Sequence, residues 1–110
     1  MASKTNSIWL SYDLGVQGDY EGLYAWLDDH QAKECGSSVA FLKYDFQGDL
    51  MESLMSDISG AVSLDKRSRL YVIFKEERGM KGAYLKGRRK TAPWEGHGAN
   101  GESVEDWGEV

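Results

Sequence analysis

The hydrophobic pattern of this chain changes period several times within 110 residues, and this succession limits the folds available to it. Four segments carry apolar side chains at every second position or read as short extended runs, as strands do. Two other segments carry them at the spacing of amphipathic helices. The strand-like segments are 7–13, 32–35, 38–45 and 69–75, and the helix-like segments are 20–31 and 49–62. The resulting order is β-α-β-β-α-β, and a further short edge strand at Ala83–Leu85 is left open.

Capping signals mark the beginnings of both predicted helices. Asp19 is placed to accept hydrogen bonds from the free amides of the first turn of one helix. Asp49 and Glu52 form a capping box for the other. Because each helix has one apolar face, both can cover the same side of a sheet. The sequence therefore predicts an α+β, ferredoxin-like fold, with a four-stranded antiparallel sheet and two helices on one face.

Length and composition indicate a single domain with one core. We assign residues 1–90 to this domain and predict that residues 91–110, which are rich in glycine and acidic side chains, form a mobile tail. No apolar run approaches the roughly 18 residues that a membrane span needs. The first residues also lack the apolar stretch of a signal peptide. We therefore expect a cytoplasmic protein without a membrane partner.

Charge is distributed unevenly along the chain, whose net charge is −5. Residues 75–90 combine seven Lys or Arg with two Glu, whereas the segments on either side are acidic. Because an acidic surface repels phosphate backbones, the basic segment is where we predict nucleic-acid binding. The candidate residues are Lys81, Lys86, Arg88, Arg89 and Lys90, with Tyr84 and Trp94 as nearby rings. An ordinary solvated loop, or one masked by the acidic tail, is the alternative.

The side of the predicted sheet that the helices leave uncovered also carries apolar residues. Trp9 lies on the first strand, and Tyr71 and Ile73 lie on the last; the third strand offers Phe41 or Leu42. A second apolar sheet face in a small domain indicates a partner surface, commonly for another copy of the chain. We take Trp9, Tyr71 and Ile73 as candidate partner-binding residues.

Three short segments, Ser11–Leu14, Gly18–Tyr20 and Leu23–Leu27, carry a family resemblance. They resemble the N-terminal signature of the small CRISPR-adaptation nucleases and of their relatives, which include the virulence-associated protein D toxins. The similarity covers roughly residues 7–76. It implies a homodimer with facing sheets and a metal-assisted nuclease centre in which Asp13 is both catalytic residue and metal ligand. Two copies of Asp13 would hold Mg²⁺ or Mn²⁺, which would activate water against a phosphodiester.

Three functions are thus open at the level of the sequence. The resemblance favours a metal-dependent endonuclease or toxin that acts as a homodimer. The acidic charge, and the lack of arginine in the loop Gly15–Gly18, favour a non-catalytic protein-binding module, such as an accessory factor or a mobile-element inhibitor of a defence system. The basic segment favours a small nucleic-acid-binding regulator. Asp13 itself has an alternative role, which is to accept backbone amides in the turn that follows it.

Overall fold

The computed structural model describes residues 3–98, which form five strands and two helices. The strands are β1 (Lys4–Asp13), β2 (Lys33–Glu34), β3 (Val39–Phe46), β4 (Arg69–Glu76) and β5 (Gly79–Lys86), and the helices are α1 (Tyr20–Asp29) and α2 (Leu50–Ala61). All strands pair antiparallel in one sheet of order β2-β3-β1-β4-β5. The predicted α+β class, the two helices and the antiparallel sheet are therefore confirmed.

The sheet has five strands where four are predicted, because the chain after β4 turns back and forms β5, which contains the further strand left open at Ala83–Leu85. β5 pairs with β4 from Gly79, which lies opposite Glu76. Gly79 has a φ of +128°, a conformation that side chains rarely adopt. The first four residues of β5 are exposed at the sheet edge. Burial therefore imposes no apolar alternation on them, and the sequence pattern breaks down there.

The remaining parts of the chain connect these elements or fall outside the description. Residues 91–98 form no helix or strand. The predicted mobile tail otherwise falls on residues 99–110, which lie outside the described residues. Within residues 3–98, no helix combines the length and apolar character that crossing a membrane requires.

One hydrophobic core lies between the two helices and one face of the sheet. The buried strand residues are Ile8, Leu10, Ala40, Leu42, Tyr44, Leu70, Val72 and Phe74, and the buried helix residues are Leu23, Trp26, Leu27, Leu50, Leu54 and Ile58. All of these strand residues point to the same side of the sheet, because side chains alternate along a strand. Both helices therefore pack on that side, and no described element covers the other.

The Asp19 carboxylate joins the beginning of α1 to the end of α2. Its Oδ2 accepts the Ser63 N–H at 2.9 Å, and its Oδ1 accepts the Gly22 N–H at 2.9 Å. These two backbone hydrogen bonds lower the pKa of Asp19, because they favour its charged form. A Cβ at Gly22 would meet both this carboxylate and the Ala61 carbonyl oxygen. Glycine thus lets the two helices approach closely where Asp19 connects them.

We expect Asp19→Asn to lower the thermal midpoint near neutral pH, because one amide oxygen cannot replace two carboxylate oxygens as acceptors. A carboxyl whose pKa folding lowers stabilises the fold above its unfolded pKa of about 3.9 and loses that contribution as the pH falls through the folded value. The difference in midpoint between wild type and variant should therefore shrink at acidic pH, as measured by circular dichroism. Asp28→Asn, at an exposed position of α1, is the matched control. A difference that is constant with pH would contradict this role.

Candidate nucleic-acid interface

The sheet face away from the helices, here called the open face, carries a patch of large apolar side chains. Trp9 of β1 lies opposite Phe41 of β3 on one side and Ile73 of β4 on the other. The ring centroids of Trp9 and Phe41 are 5.0 Å apart, with an interplanar angle of 52°. Both rings are half-buried, and Ile73 is 38% exposed. Three neighbouring strands therefore present a continuous apolar surface to solvent.

A second pair of rings extends this patch towards β5. Tyr71 and Tyr84 lie opposite each other, with ring centroids 4.8 Å apart in an edge-to-face arrangement. A Cβ at Gly82 would meet the hydroxyl group and the ring of Tyr71. The Tyr71 ring therefore lies across the backbone at Gly82. The structure brings the predicted residues Trp9, Tyr71 and Ile73 onto one surface and adds Phe41 and Tyr84 to it.

Cationic side chains outnumber carboxylates on the open face. Strand register and the lining of a cavity described below place Lys33, Lys43, Arg69, Lys75 and Arg89 there, together with Asp13 and Asp45. The helical side has the opposite character. Residues 14–32 and 46–65, which contain both helices, hold eight acidic residues and no Lys or Arg, and Lys66 and Arg67 follow in the loop between α2 and β4. A polyanion is therefore attracted to the open face of this acidic protein and repelled from the two helices.

The basic residues predicted from the sequence do not form a single surface. Lys81 lies opposite Phe74 and Lys86 lies opposite Leu70, and both of these partners point into the core. The two lysines therefore lie on the helical side of the sheet. Lys81 Nζ is 3.9 Å from Glu76 Oε2. The charge count along the sequence could not reveal this division, because the exposed first half of β5 shows no apolar alternation.

The other three predicted basic residues follow β5 in an exposed loop. Arg88, Arg89 and Lys90 are all exposed, and Arg89 lines a cavity at one end of the open face. Trp94, further along the same segment, is 67% exposed. Of the five predicted residues, Arg89 is thus the one that the structure joins to the aromatic patch.

This cavity has a volume of about 280 Å³ and lies where β1 ends and β4 begins. Its lining includes Ser11, Asp13, Arg69, Tyr71, Tyr84 and Arg89. Asp13 Oδ1 accepts the Gly15 N–H at 3.1 Å. The carboxylate therefore accepts a backbone amide of the turn that follows β1, which is the alternative to a role as metal ligand. Across residues 3–98, no three His, Cys, Asp or Glu side chains are grouped so that they could hold a metal ion.

A second polar cluster lies on the helical side and joins α1, α2 and β3. The Tyr44 hydroxyl lies 3.2 Å from Asp57 Oδ2 and 3.1 Å from the Ser53 carbonyl oxygen, and either oxygen can accept its single proton. His30 Nε2 is 3.6 Å from the same Asp57 oxygen, and His30 Nδ1 is 2.8 Å from the Trp26 carbonyl oxygen. Burial raises the pKa of Tyr44. Because these groups pair with one another, we assign the cluster to the stability of the helical layer.

Comparison with protein-family models, with curated proteins and with solved structures finds no match to this chain. The resemblance to the CRISPR-adaptation nucleases therefore stays a prediction. The functional argument below depends on the geometry and charge of the open face.

We expect Gly82→Ala to displace the Tyr71 ring and to lower the free energy of unfolding by about 1–3 kcal/mol, as overpacking does. Near-UV circular dichroism and the aromatic NMR signals of Tyr71 report the displacement. Gly60→Ala is the control, because Gly60 lies in α2 with no atom near the position of an added Cβ. This control should stabilise the protein by about 0.5–1 kcal/mol. Unchanged Tyr71 signals in Gly82→Ala would contradict the described ring position.

Proposed function

We propose that this protein binds single-stranded nucleic acid on the open face and acts as a non-catalytic binding module. The observation that carries this proposal is the combination of four aromatic rings with an excess of cations on one face of a protein whose net charge is −5. Aromatic rings stack on unpaired bases, and Lys and Arg neutralise the phosphates between them.

The shape of the surface favours single strands over duplexes. In a duplex the bases are stacked on each other, so rings set in a sheet cannot reach their faces; splayed bases of a single strand can lie on them. An α-helix is the element that commonly enters the major groove. Here both helices are acidic, since α1 and α2 together hold five carboxylates and no Lys or Arg. Groove reading by α1 or α2 would bring like charges together.

We include in this proposal a ferredoxin-like fold with one added edge strand, which the strand order supports. The elements from β1 to β4 follow the order β-α-β-β-α-β, and the strands β2-β3-β1-β4 are neighbours in that order. β1 and β3 are then the central strands, and they carry Trp9 and Phe41. RNA-recognition modules use aromatic residues on a four-stranded sheet to stack two or three bases. The parallel concerns the arrangement of aromatic rings on the sheet.

A second copy of the chain is the competing occupant of the open face. A homodimer with facing sheets would bring the exposed lysines Lys33, Lys43 and Lys75 of two copies onto one interface. Like charges brought together in this way oppose association. Nucleic acid supplies the complementary charge, and we therefore propose it in preference to a homodimer. The homodimer, a protein partner in a defence system and a cytoplasmic location stay predictions.

A metal-dependent nuclease centred on Asp13 is the second candidate. It is favoured by the position of Asp13 in a cavity on the face along which a strand would pass. Mg²⁺ and Mn²⁺ prefer several oxygen ligands. One chain offers a single carboxylate at this cavity, beside Arg69 and Arg89, and this donor set does not fit such an ion. We therefore propose binding in preference to cleavage.

Fluorescence anisotropy with labelled oligouridylate tests the proposed function. Loss of a stacking ring costs about 1–3 kcal/mol per base, so Trp9→Ala and Phe41→Ala should each weaken binding about 5- to 150-fold. Trp9→Phe, which keeps a ring, should retain most of the affinity. Lys43→Gln and Lys75→Gln should each reduce the slope of log K against log salt by about 0.7.

Lys81→Gln is the charge-matched control, because Lys81 lies on the helical side of the sheet. It should leave the salt slope unchanged. Absence of binding at low salt, or equal effects of Lys81→Gln and Lys75→Gln, would contradict the proposed interface. With Mg²⁺ present, gel analysis should recover the oligonucleotide intact; cleavage that Asp13→Ala abolishes would establish the nuclease instead.

A further inference from the structure

Three charged side chains share the cavity at the end of the open face without pairing with one another. Asp13, Arg69 and Arg89 all contribute to its lining. The ion pairs among residues 3–98 are formed by other groups, so within this part of the chain none of the three has an ionic partner within 4.0 Å. Arg69 Nε is in addition buried without a hydrogen-bond partner among the described residues. The cavity thus collects three charged side chains that have no ionic partner among the described residues.

The size and walls of the cavity suit one nucleotide. A volume of about 280 Å³ is close to the lower end of the range for small-molecule sites, about 300–1,000 Å³. Tyr71 and Tyr84 form an aromatic wall against which a base can stack. The guanidinium groups of Arg69 and Arg89 match the geometry of a phosphate. The cavity therefore continues the stacking surface at the point where two arginines are available.

Asp13 needs a different explanation, because a carboxylate repels phosphate. An ionised carboxylate accepts hydrogen bonds and donates none. Its Oδ1 already accepts from Gly15, whereas the described residues offer no hydrogen-bond donor to Oδ2. A phosphodiester has no proton to donate at neutral pH. The sugar of RNA has one in its 2′-hydroxyl group, which is the group that allows proteins to distinguish RNA from DNA.

We infer that Asp13 accepts a hydrogen bond from the 2′-hydroxyl of the nucleotide in this cavity, so that the protein binds RNA in preference to DNA. The inference rests on the proposed function and adds to it the class of nucleic acid. Asp13 is then a specificity-determining residue. Arg69 and Arg89 contact the phosphate, and the tyrosines contact the base.

The test compares oligouridylate with the same sequence of deoxyuridine and of 2′-fluorouridine. The three oligonucleotides have the same base, and the fluorinated sugar retains an RNA-like shape without a donor. The binding assay contains EDTA, so that no metal ion bridges carboxylate and phosphate. A hydrogen bond to a charged group predicts about tenfold tighter binding of the RNA than of either analogue.

Two variants assign this preference to Asp13. In Asp13→Asn, the single carbonyl oxygen keeps the bond from Gly15 and the amide NH₂ faces the cavity, so the acceptor is lost and the size is kept. The RNA preference should fall to about onefold while affinity for DNA rises, because a negative charge is removed. Asp45→Asn removes the same charge elsewhere on the open face, where the Thr5 hydroxyl donates to Asp45. This control should keep the RNA preference.

Each result bears on a different step. Equal affinity of the wild type for the three oligonucleotides would overturn the role of the 2′-hydroxyl and leave the proposed function in place. An RNA preference that persists in Asp13→Asn would overturn the role of Asp13. Failure to bind any of the three would overturn the proposed function and the inference together.

Discussion

Burial of one face of the sheet beneath two helices determines the rest of this structure. Side chains alternate along each strand, so packing Ile8 and Leu10 against the helices necessarily turns Trp9 to the other side. A shift of one residue in register would reverse both faces, and the core therefore fixes the position of the aromatic patch. The cap at Asp19 adds to this by joining the two helices that cover the core.

The distribution of charge follows the same division into layers. The two helices hold carboxylates without any Lys or Arg, whereas cations accumulate on the sheet. The net charge of −5 conceals this arrangement, because it sums over two surfaces of opposite character. An acidic protein can in this way present a basic face. The acidic helices also repel a polyanion and so limit the directions from which it can approach.

Much of the fold could be predicted from local signals in the sequence, and the site only in part. The central strands have a buried face and therefore a regular alternation, and Asp19 and Asp49 accept hydrogen bonds from the first turns of the predicted helices. β5 gives such a signal only at Ala83–Leu85, because its first four residues are exposed at an edge. Without the full extent of β5, the sequence could not show that Lys81 and Lys86 lie on the helical side. Basic residues that are close in sequence can therefore lie on opposite sides of the sheet.

Trp9, Tyr71 and Ile73 could be assigned to the uncovered side because period-2 alternation needs no tertiary information. The contacts of Tyr71 with Gly82 and Tyr84, and the cavity that joins Asp13 to Arg69 and Arg89, depend on pairing between strands and were not accessible in this way. Asp13 illustrates the difference. Its position at a strand end was visible in the sequence, and its two cationic neighbours were not.

Mapping of backbone amide NMR shifts during titration with oligouridylate tests the central claim most directly. The account predicts that the largest changes lie in β1, β3, β4 and β5, around Trp9, Phe41 and Tyr71, while α1 and α2 change little. Changes concentrated on the helices, or none at any oligonucleotide concentration, would contradict it.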